Sequence, residues 1–512
     1  MHDVDSILIL LLAAAVLVWL ADLGRIPAPI VLVLGGLAIA LVPGLPEVEL
    51  EPDVVFLIFL PPLVFSAGWR TSPLELRALT RPLALLSVLL VFLTAGVVAL
   101  VAHALVPGLG WAEAAVLGAI LAPTDAVAPV SIFRRLGAPE RVRLLVGGES
   151  MINDATALVL YRIAVGVATG GAFSLGGAIL EYIGISAGGI AVGLAAGFLT
   201  DLLIRRSQND VGLAIFVSVL AAYGSYVGAE RLHVSGILAA VVTGLYGGYR
   251  APRSQNADLR LTAIAFWDVL IFGLETTLFV LLGLQLPGVV ETLDASSSGV
   301  AELIGPAAAL VAATIGLRLA FVFAMGRDAG SSLGERIAVG WSGMRGAVSL
   351  AAALAVPLSV ANRPQIIFLT FALILVTLVG LGLSLPAVVR ALRLEEPRRW
   401  SDEEAVARME AAQSALDRID QIEEEARASE GQLRRLRDLY RGRFRMCQAV
   451  LGGEDPESAA REQRIVDYGE LRRELIGIER EELLALRGAG RLRNSTMRQI
   501  ERDLDLDEAR IR

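Results

Sequence analysis

The chain contains no lysine, so all 45 basic residues among its 512 are arginine. Arginine in effect never deprotonates, and no side-chain amine is therefore available to carry a proton. Histidine is nearly as scarce, with three. His103 and His233 have the right chemistry for pH sensing but stand at helix ends, where the incidental reading is the better one. The single cysteine, Cys447, excludes an intrachain disulfide and cannot by itself make a thiolate metal site. A positive n-region is also missing. The opening is acidic at Asp3 and Asp5, and no small-residue cleavage site precedes Arg25, so the first apolar run is expected to be a retained helix. A net charge of −8 says little about partners at this length, and nothing points to nucleic acid.

What is abundant is apolar sequence, with 55% hydrophobic residues and a mean hydropathy of +0.63. Spanning a bilayer takes about 20 residues of helix. Runs of that kind recur as far as Val389 and then stop, which predicts a transmembrane domain over 1–394 and a cytoplasmic helical domain over 395–512. The spacing predicts an all-α polytopic protein of about thirteen helices, near 5–22, 28–44, 53–68, 82–106, 112–134, 142–168, 173–203, 211–227, 232–248, 261–286, 302–325, 334–357 and 364–392. Arginines concentrate in alternate connections, among them Arg70, Arg77 and Arg81, then Arg134 and Arg135, then Arg205 and Arg206. The positive-inside rule then puts the N-terminus outside and the C-terminus in the cytoplasm. After Glu395-Glu396-Pro397 the tail opens with a capping box, Ser401 and Glu404, and reads as three or four amphipathic helices broken at Gly452-Gly453 and Gly488-Ala489-Gly490. A sequon at Asn494 falls on the cytoplasmic side and is disregarded.

Two spans read as interrupted. Pro123-Thr124-Asp125-Ala126-Val127-Ala128-Pro129 removes helix hydrogen bonds on both sides of a polar pair, and Gly343-Met344-Arg345-Gly346 sets glycines around a charge. Irregular backbone at membrane depth needs protein or a water-filled cavity around it, and paired interrupted segments point to a transporter's binding site. No inverted repeat is visible by residue identity. On the sixth span Ser150 and Asp154 are four apart on one face, with Glu149 and Asn153 on the neighbouring stripe. A carboxylate is costly inside a membrane and tends to persist where ions or protons are handled, which makes Asp154 the first candidate. Asp125 and Thr124 supply a second oxygen wall suited to a hard monovalent cation; the alternative for Asp125 is a cap on a half-helix. Glu149 needs a cation partner, and Arg318 is the candidate for a structural ion pair. Arg345 is expected to neutralise half-helix carbonyls or an acidic neighbour. Asp268 and Glu275, seven apart on one face, line an access route or serve as accessory groups, and Arg162 is expected to snorkel.

The strings LPPLVFSAGW (60–69), APTDAVAPV (122–130), GGESMINDATALVLY (147–161), ETTLFVLLGLQL (275–286) and GMRGAVSLA (343–351) resemble those of the NhaP-like sodium/proton exchangers of the first monovalent cation:proton antiporter family. The end of the tail, 487–511, is similar to that of the family's bacterial branch. The resemblance implies a homodimer with a dimerisation domain and a mobile core of crossed broken helices with inverted repeats. It also implies Asp154 as the shared carrier of Na⁺ and H⁺, surrounded by Asn153, Ser150, Thr124 and Asp125, and a Glu149–Arg318 pair. Asn153 and the missing lysines match the electroneutral members. One position departs from the pattern, since Ser66 stands where many relatives carry an acid.

The expected function is therefore exchange of Na⁺ or Li⁺ for H⁺, one for one, across the plasma membrane in pH and sodium homeostasis, with no enzymatic reaction and no cofactor. The alternatives are K⁺/H⁺ exchange on the same fold, or a cation channel or uniporter. The absence of a repeated carbonyl filter string counts against a channel. A tail acting chiefly as a sensor has only its helical pattern behind it.

Overall fold

A bilayer offers no partner to backbone N–H and C=O groups, so a chain with these apolar runs must satisfy them internally, as helix or closed barrel. The computed structural model describes residues 2–24, 26–42, 55–171, 174–207, 210–294, 299–330, 332–394, 402–425 and 427–451, and parts of 471–508. Among the described residues its regular structure is all helical, with no strand. The chain divides into two compact units, Met1–Glu396 and Pro397–Arg512.

The first unit contains α1 (His2–Gly24), α2 (Ala28–Ala40), α3 (Leu60–Arg70), α4 (Thr80–Leu105), α5 (Trp111–Leu121), α6 (Val127–Arg135), α7 (Glu140–Ala168) and α8 (Leu175–Arg206). It continues with α9 (Val211–Arg231), α10 (Gly236–Ser254), α11 (Ala257–Leu284), α12 (Val300–Met325), α13 (Leu333–Trp341), α14 (Ala347–Leu354) and α15 (Arg363–Ala391). Seven helices among the described residues are long and apolar enough to cross a membrane, and four apolar helices are shorter. The starts follow local chemistry. Ser174, Asp210, Ser235, Asn256 and Ser332 each accept a hydrogen bond from a first-turn N–H of the helix that follows, and Pro27 and Pro29 bracket the start of α2. No residue pattern announces the single π-helical turns, at Val55–Phe59 before α3, Leu85–Leu89 in α4 and Thr377–Leu381 in α15.

Packing sorts these helices into groups. In one, α3, α8 and α9 surround α10, and α2 lies along α11; in another, α4, α5, α7 and α12 pack on one another. Backbones approach closely at α3 and α10, where a Cβ on Gly244 would stand 2.1 Å from the Phe65 carbonyl oxygen and one on Gly248 2.1 Å from that of Trp69. This G-x-x-x-G spacing is what allows helices to associate in an apolar solvent, where burial itself supplies no preference. Arg162, expected to snorkel, reaches from α7 to an ion pair with Glu230 of α9. His103 Nδ1 donates to the Leu109 carbonyl at 2.8 Å, and its ring stacks against Trp111.

In the second unit α16 (Asp402–Glu424) and α17 (Glu430–Leu451) pack together over Ala405, Ala412, Ile419, Leu433 and Cys447. Arg437 clamps Asp420 and Glu423 and holds the Glu423 carboxyl below its usual range, chiefly by hydrogen bonding. Burial pushes the Cys447 thiol up, away from thiolate reactivity. Ser401, the Glu395-Glu396-Pro397 boundary, the glycine breaks at 452–453 and 488–490 and the sequon lie outside the described residues.

Candidate functional site

The first interruption falls between Leu121 and Val127. Pro123 has no N–H to give, whereas Pro129 sits in the first turn of α6, where a missing N–H costs little. The second runs from Ser342 to Gly346, between α13 and α14. The two breaks meet. The Asp125 N–H donates to the Met344 carbonyl at 2.8 Å, and Arg345 Nε donates to the Leu121 carbonyl at 3.2 Å. A third break-stabilising contact runs from Arg345 Nη1 to the Gly343 carbonyl, at 2.5 Å. Helix C-termini present unsatisfied carbonyls with partial negative charge, and the Arg345 guanidinium answers that at the end of α5. The Arg345 N–H is taken up by Thr377 Oγ1 at 3.2 Å, from the π-helical turn of α15.

Asp125 uses its two oxygens differently. Oδ1 accepts from the Val127 N–H at 2.8 Å, capping the half-helix. Oδ2 lies against Gly346, so closely that a Cβ there would stand 1.8 Å from it. Gly346→Ala is therefore expected to displace Asp125 and to lower at least tenfold the rate of the cation/proton exchange expected from the sequence, at a stability cost of about 1–3 kcal/mol, the usual range for overpacking. Initial rates in proteoliposomes and a thermal midpoint measure the two effects; an unchanged rate would show that this placement of Asp125 is dispensable.

The other wall is α7. Ser150 Oγ accepts from the Ala126 N–H at 3.2 Å, tying α7 to the first break. Asp154, one turn on, makes no hydrogen bond or ion pair among the described residues and faces a cavity of about 620 Å³. Thr124, Asp125 and Ser150 line the same cavity, and Ser66, Asp268 and Glu275 line it from α3 and α11. Thr71, Arg134, Glu140 and Arg143, at the ends of α3, α6 and α7, line it as well. It thus runs from the crossed breaks to the arginine-bearing helix ends. Asp154 lies 14 residues into α7 from Glu140, about 21 Å at 1.5 Å per residue. Carboxylate and hydroxyl oxygens together are the ligand types a hard cation takes.

Glu149 and Asn153 turn away from the cavity, into the protein. Glu149 receives Arg318 in bidentate fashion, Nη1 to Oε1 at 2.5 Å and Nη2 to Oε2 at 2.8 Å, with both side chains at most 3% exposed. Thr124 Oγ1 also donates to Glu149 Oε1 at 3.0 Å, and Arg318 Nη2 reaches the Val339 carbonyl at 3.0 Å. Asn153 Nδ2 donates to the Thr124 carbonyl at 3.2 Å and to Thr124 Oγ1 at 2.9 Å, so it holds the unwound strand from behind. Its Oδ1 is buried without a partner among the described residues. Of the residues singled out in the sequence, Asp154, Ser150, Asp125, Thr124, Ser66, Asp268 and Glu275 thus share one cavity, whereas Asn153, Glu149, Arg318 and Arg345 form the polar layer behind it. Sequence reasoning missed Thr377, an ordinary hydroxyl in an apolar span. It also missed Arg70, whose spacing of four from Ser66 was the available signal.

Interrupted helices that cross in a cavity beside a carboxylate with no partner among the described residues define a multi-pass transporter of the kind whose substrate site is built from freed backbone and half-helix ends. The model of the family described as sodium/hydrogen exchanger, transmembrane, matches residues 7–391, and the chain belongs to that family. Its members are cation/proton antiporters, transmembrane ion transporters rather than enzymes. The chain is 34% identical to the uncharacterized Na(+)/H(+) exchanger Rv2287 of Mycobacterium tuberculosis, over 99% of this chain and 96% of that protein. It is 31% identical to the low-affinity Na(+)/H(+) antiporter NhaS1 of Synechocystis, over 82% of this chain and 80% of that one. The fold is similar to that of the sodium proton antiporter MjNhaP1 from Methanocaldococcus jannaschii, with a TM-score of 0.62 at 21% identity, covering 77% of this chain and 100% of that one.

Proposed function

We propose that the protein exchanges Na⁺ or Li⁺ for H⁺, one for one, across the plasma membrane, as a homodimer that serves pH and sodium homeostasis, with Asp154 as the shared carrier. The observation that carries this reading is the contrast between two carboxylates on one helix: Glu149 is neutralised by Arg318, whereas Asp154 faces the cavity without a partner among the described residues. A carboxylate in such a site cannot remain charged and alone, so either a cation or a proton must accompany it. The two compete, and the neutral loaded forms are the ones that cross. Thr124, Asp125 and Ser150 complete the cation's oxygen shell, and Asn153 adds no charge of its own, which supports an electroneutral cycle. No cofactor takes part; Na⁺ and H⁺ are cargo. The arginine-bearing connections support a cytoplasmic placement of the cavity mouth, with the N-terminus outside and the C-terminus inside. Residues 1–394 then form the exchanger and 395–512 a cytoplasmic regulatory module. The names of the Synechocystis and mycobacterial relatives support Na⁺ as the cation.

The test is dequenching of a pH dye in proteoliposomes on addition of Na⁺, Li⁺ or K⁺, with the membrane potential clamped and unclamped. The expected result is Na⁺- or Li⁺-dependent proton movement that ignores the potential. Because the proton is a competitor, the apparent KM for Na⁺ should rise as pH falls, approaching about tenfold per pH unit, while Vmax holds. A K⁺ preference would reassign the cation, and currents without proton coupling would return the channel reading.

A further inference from the structure

We propose that Arg70 and Asp268 act as a charge-balanced pair in the cavity that sets the affinity with which cations reach the carrier, Arg70 weakening cation entry and Asp268 offsetting it. The inference rests on the reading of Asp154 as carrier. Arg70 ends α3, and its Nη1 lies 2.7 Å from Asp268 Oδ1 on α11. Its Nε donates to Ser66 Oγ at 3.2 Å, one turn back on its own helix, and Ser66 is itself buried. The guanidinium is therefore anchored at two points in the cavity that Asp125, Asp154 and Glu275 also line, instead of being free to snorkel outward. Glu275 stands two turns beyond Asp268 on the same face, about 10.5 Å along the axis, and makes no ion pair among the described residues. Both side chains line the cavity through which a cation would approach Asp154.

The electrostatic consequence has a sign for each partner. With both present, the pair adds no net charge to the route. Removing Arg70 leaves Asp268 uncompensated, and a fixed negative charge in the cavity concentrates cations. Removing Asp268 leaves Arg70 uncompensated, and a fixed positive charge repels them. A unit charge at about 10 Å, at an effective dielectric between the protein-surface value and that of water, changes local cation occupancy by roughly threefold to tenfold. Arg134, Glu140 and Arg143 also face the cavity, but they are unchanged in every variant and drop out of the comparison. Side chains 32% and 52% exposed make an ion pair that contributes little to stability, so the variants are expected to fold.

The experiment measures initial exchange rates against Na⁺ concentration in proteoliposomes for the wild type, Arg70→Gln, Asp268→Asn and the double variant. The expected KM for Na⁺ falls by roughly threefold to tenfold in Arg70→Gln, rises by a similar factor in Asp268→Asn, and returns close to wild type when both are replaced. Arg70→Lys and Asp268→Glu keep the charges and should keep the KM. All shifts should shrink as ionic strength is raised with an impermeant salt, since screening acts on exposed charges. A merely structural pair would move both single variants in the same direction or lower Vmax alone, and either result overturns the inference while leaving Asp154 in its role. A wild type without Na⁺-dependent proton movement would overturn both readings together.

Discussion

Replacing Asp154 by Asn is expected to abolish cation-dependent proton movement while the protein remains folded. The side chain is nearly isosteric, and Asp154 makes no hydrogen bond or ion pair among the described residues that the amide would forfeit. An amide neither releases a proton nor balances a cation, so neither loaded form of the carrier can arise. The loss should be at least a hundredfold in initial rate, down to the leak of empty liposomes. Stability should hold or rise slightly, because the variant no longer places an uncompensated acid in a low-dielectric setting. Dye dequenching and thermal unfolding of the same preparation read the two effects separately. Retained exchange would remove Asp154 from the cycle, and exchange lost together with folding would make the residue structural. Ser150 gives the complementary control. Its Oγ accepts the Ala126 N–H, so Ser150→Ala removes a proposed cation ligand and a tie to the break together, and a partial loss of rate is expected where Asp154→Asn is complete.

The elements of this site were unequally legible in the sequence, for physical reasons that differ from residue to residue. The breaks could be read because proline and glycine act on the backbone locally, whatever surrounds them. Ser150 and Asp154 could be placed on one face because helical periodicity is itself local. The Glu149–Arg318 contact spans 169 positions in the chain and has no local signature; the sequence argument for it rested on charge compensation and on the family resemblance. What could not be read depends on how the two breaks cross. Asp125 Oδ2 lying on Gly346, Asn153 turning behind Thr124 instead of into the cavity, and Thr377 receiving the Arg345 N–H all require the tertiary arrangement. The π-helical turn that carries Thr377 has no proline or glycine cue preceding it. Arg70 was counted as one more arginine of a charged connection, because nothing in the spacing says that Asp268 stands opposite it.

Glu149→Gln and Arg318→Met are each expected to cost about 3–5 kcal/mol, because either one leaves the remaining charge buried and uncompensated. That is a large share of the roughly 5–15 kcal/mol that separates a typical folded domain from its unfolded state. The pair holds more than its own two residues. Thr124 of the first break donates to Glu149, while Arg318 donates to the Val339 carbonyl and, at 3.4 Å, to Ser342 Oγ at the second, so α7 and α12 are fastened to both interruptions through one contact. Each single variant should therefore lose most of its monodisperse protein on size exclusion, and unpaired charges should cost more than the lost hydrogen bonds would. The double variant Glu149→Gln/Arg318→Met tests which is the case. With both charges gone, a buried polar contact replaced by neutral groups of similar volume is often close to neutral in stability, so folding should largely return. Single variants as stable as the wild type would contradict the burial argument outright. If the double variant folds and exchanges, the pair is a fastening for the breaks. If it folds and does not exchange, the charges themselves take part in the cycle, and the division of labour between the two carboxylates of α7 fails.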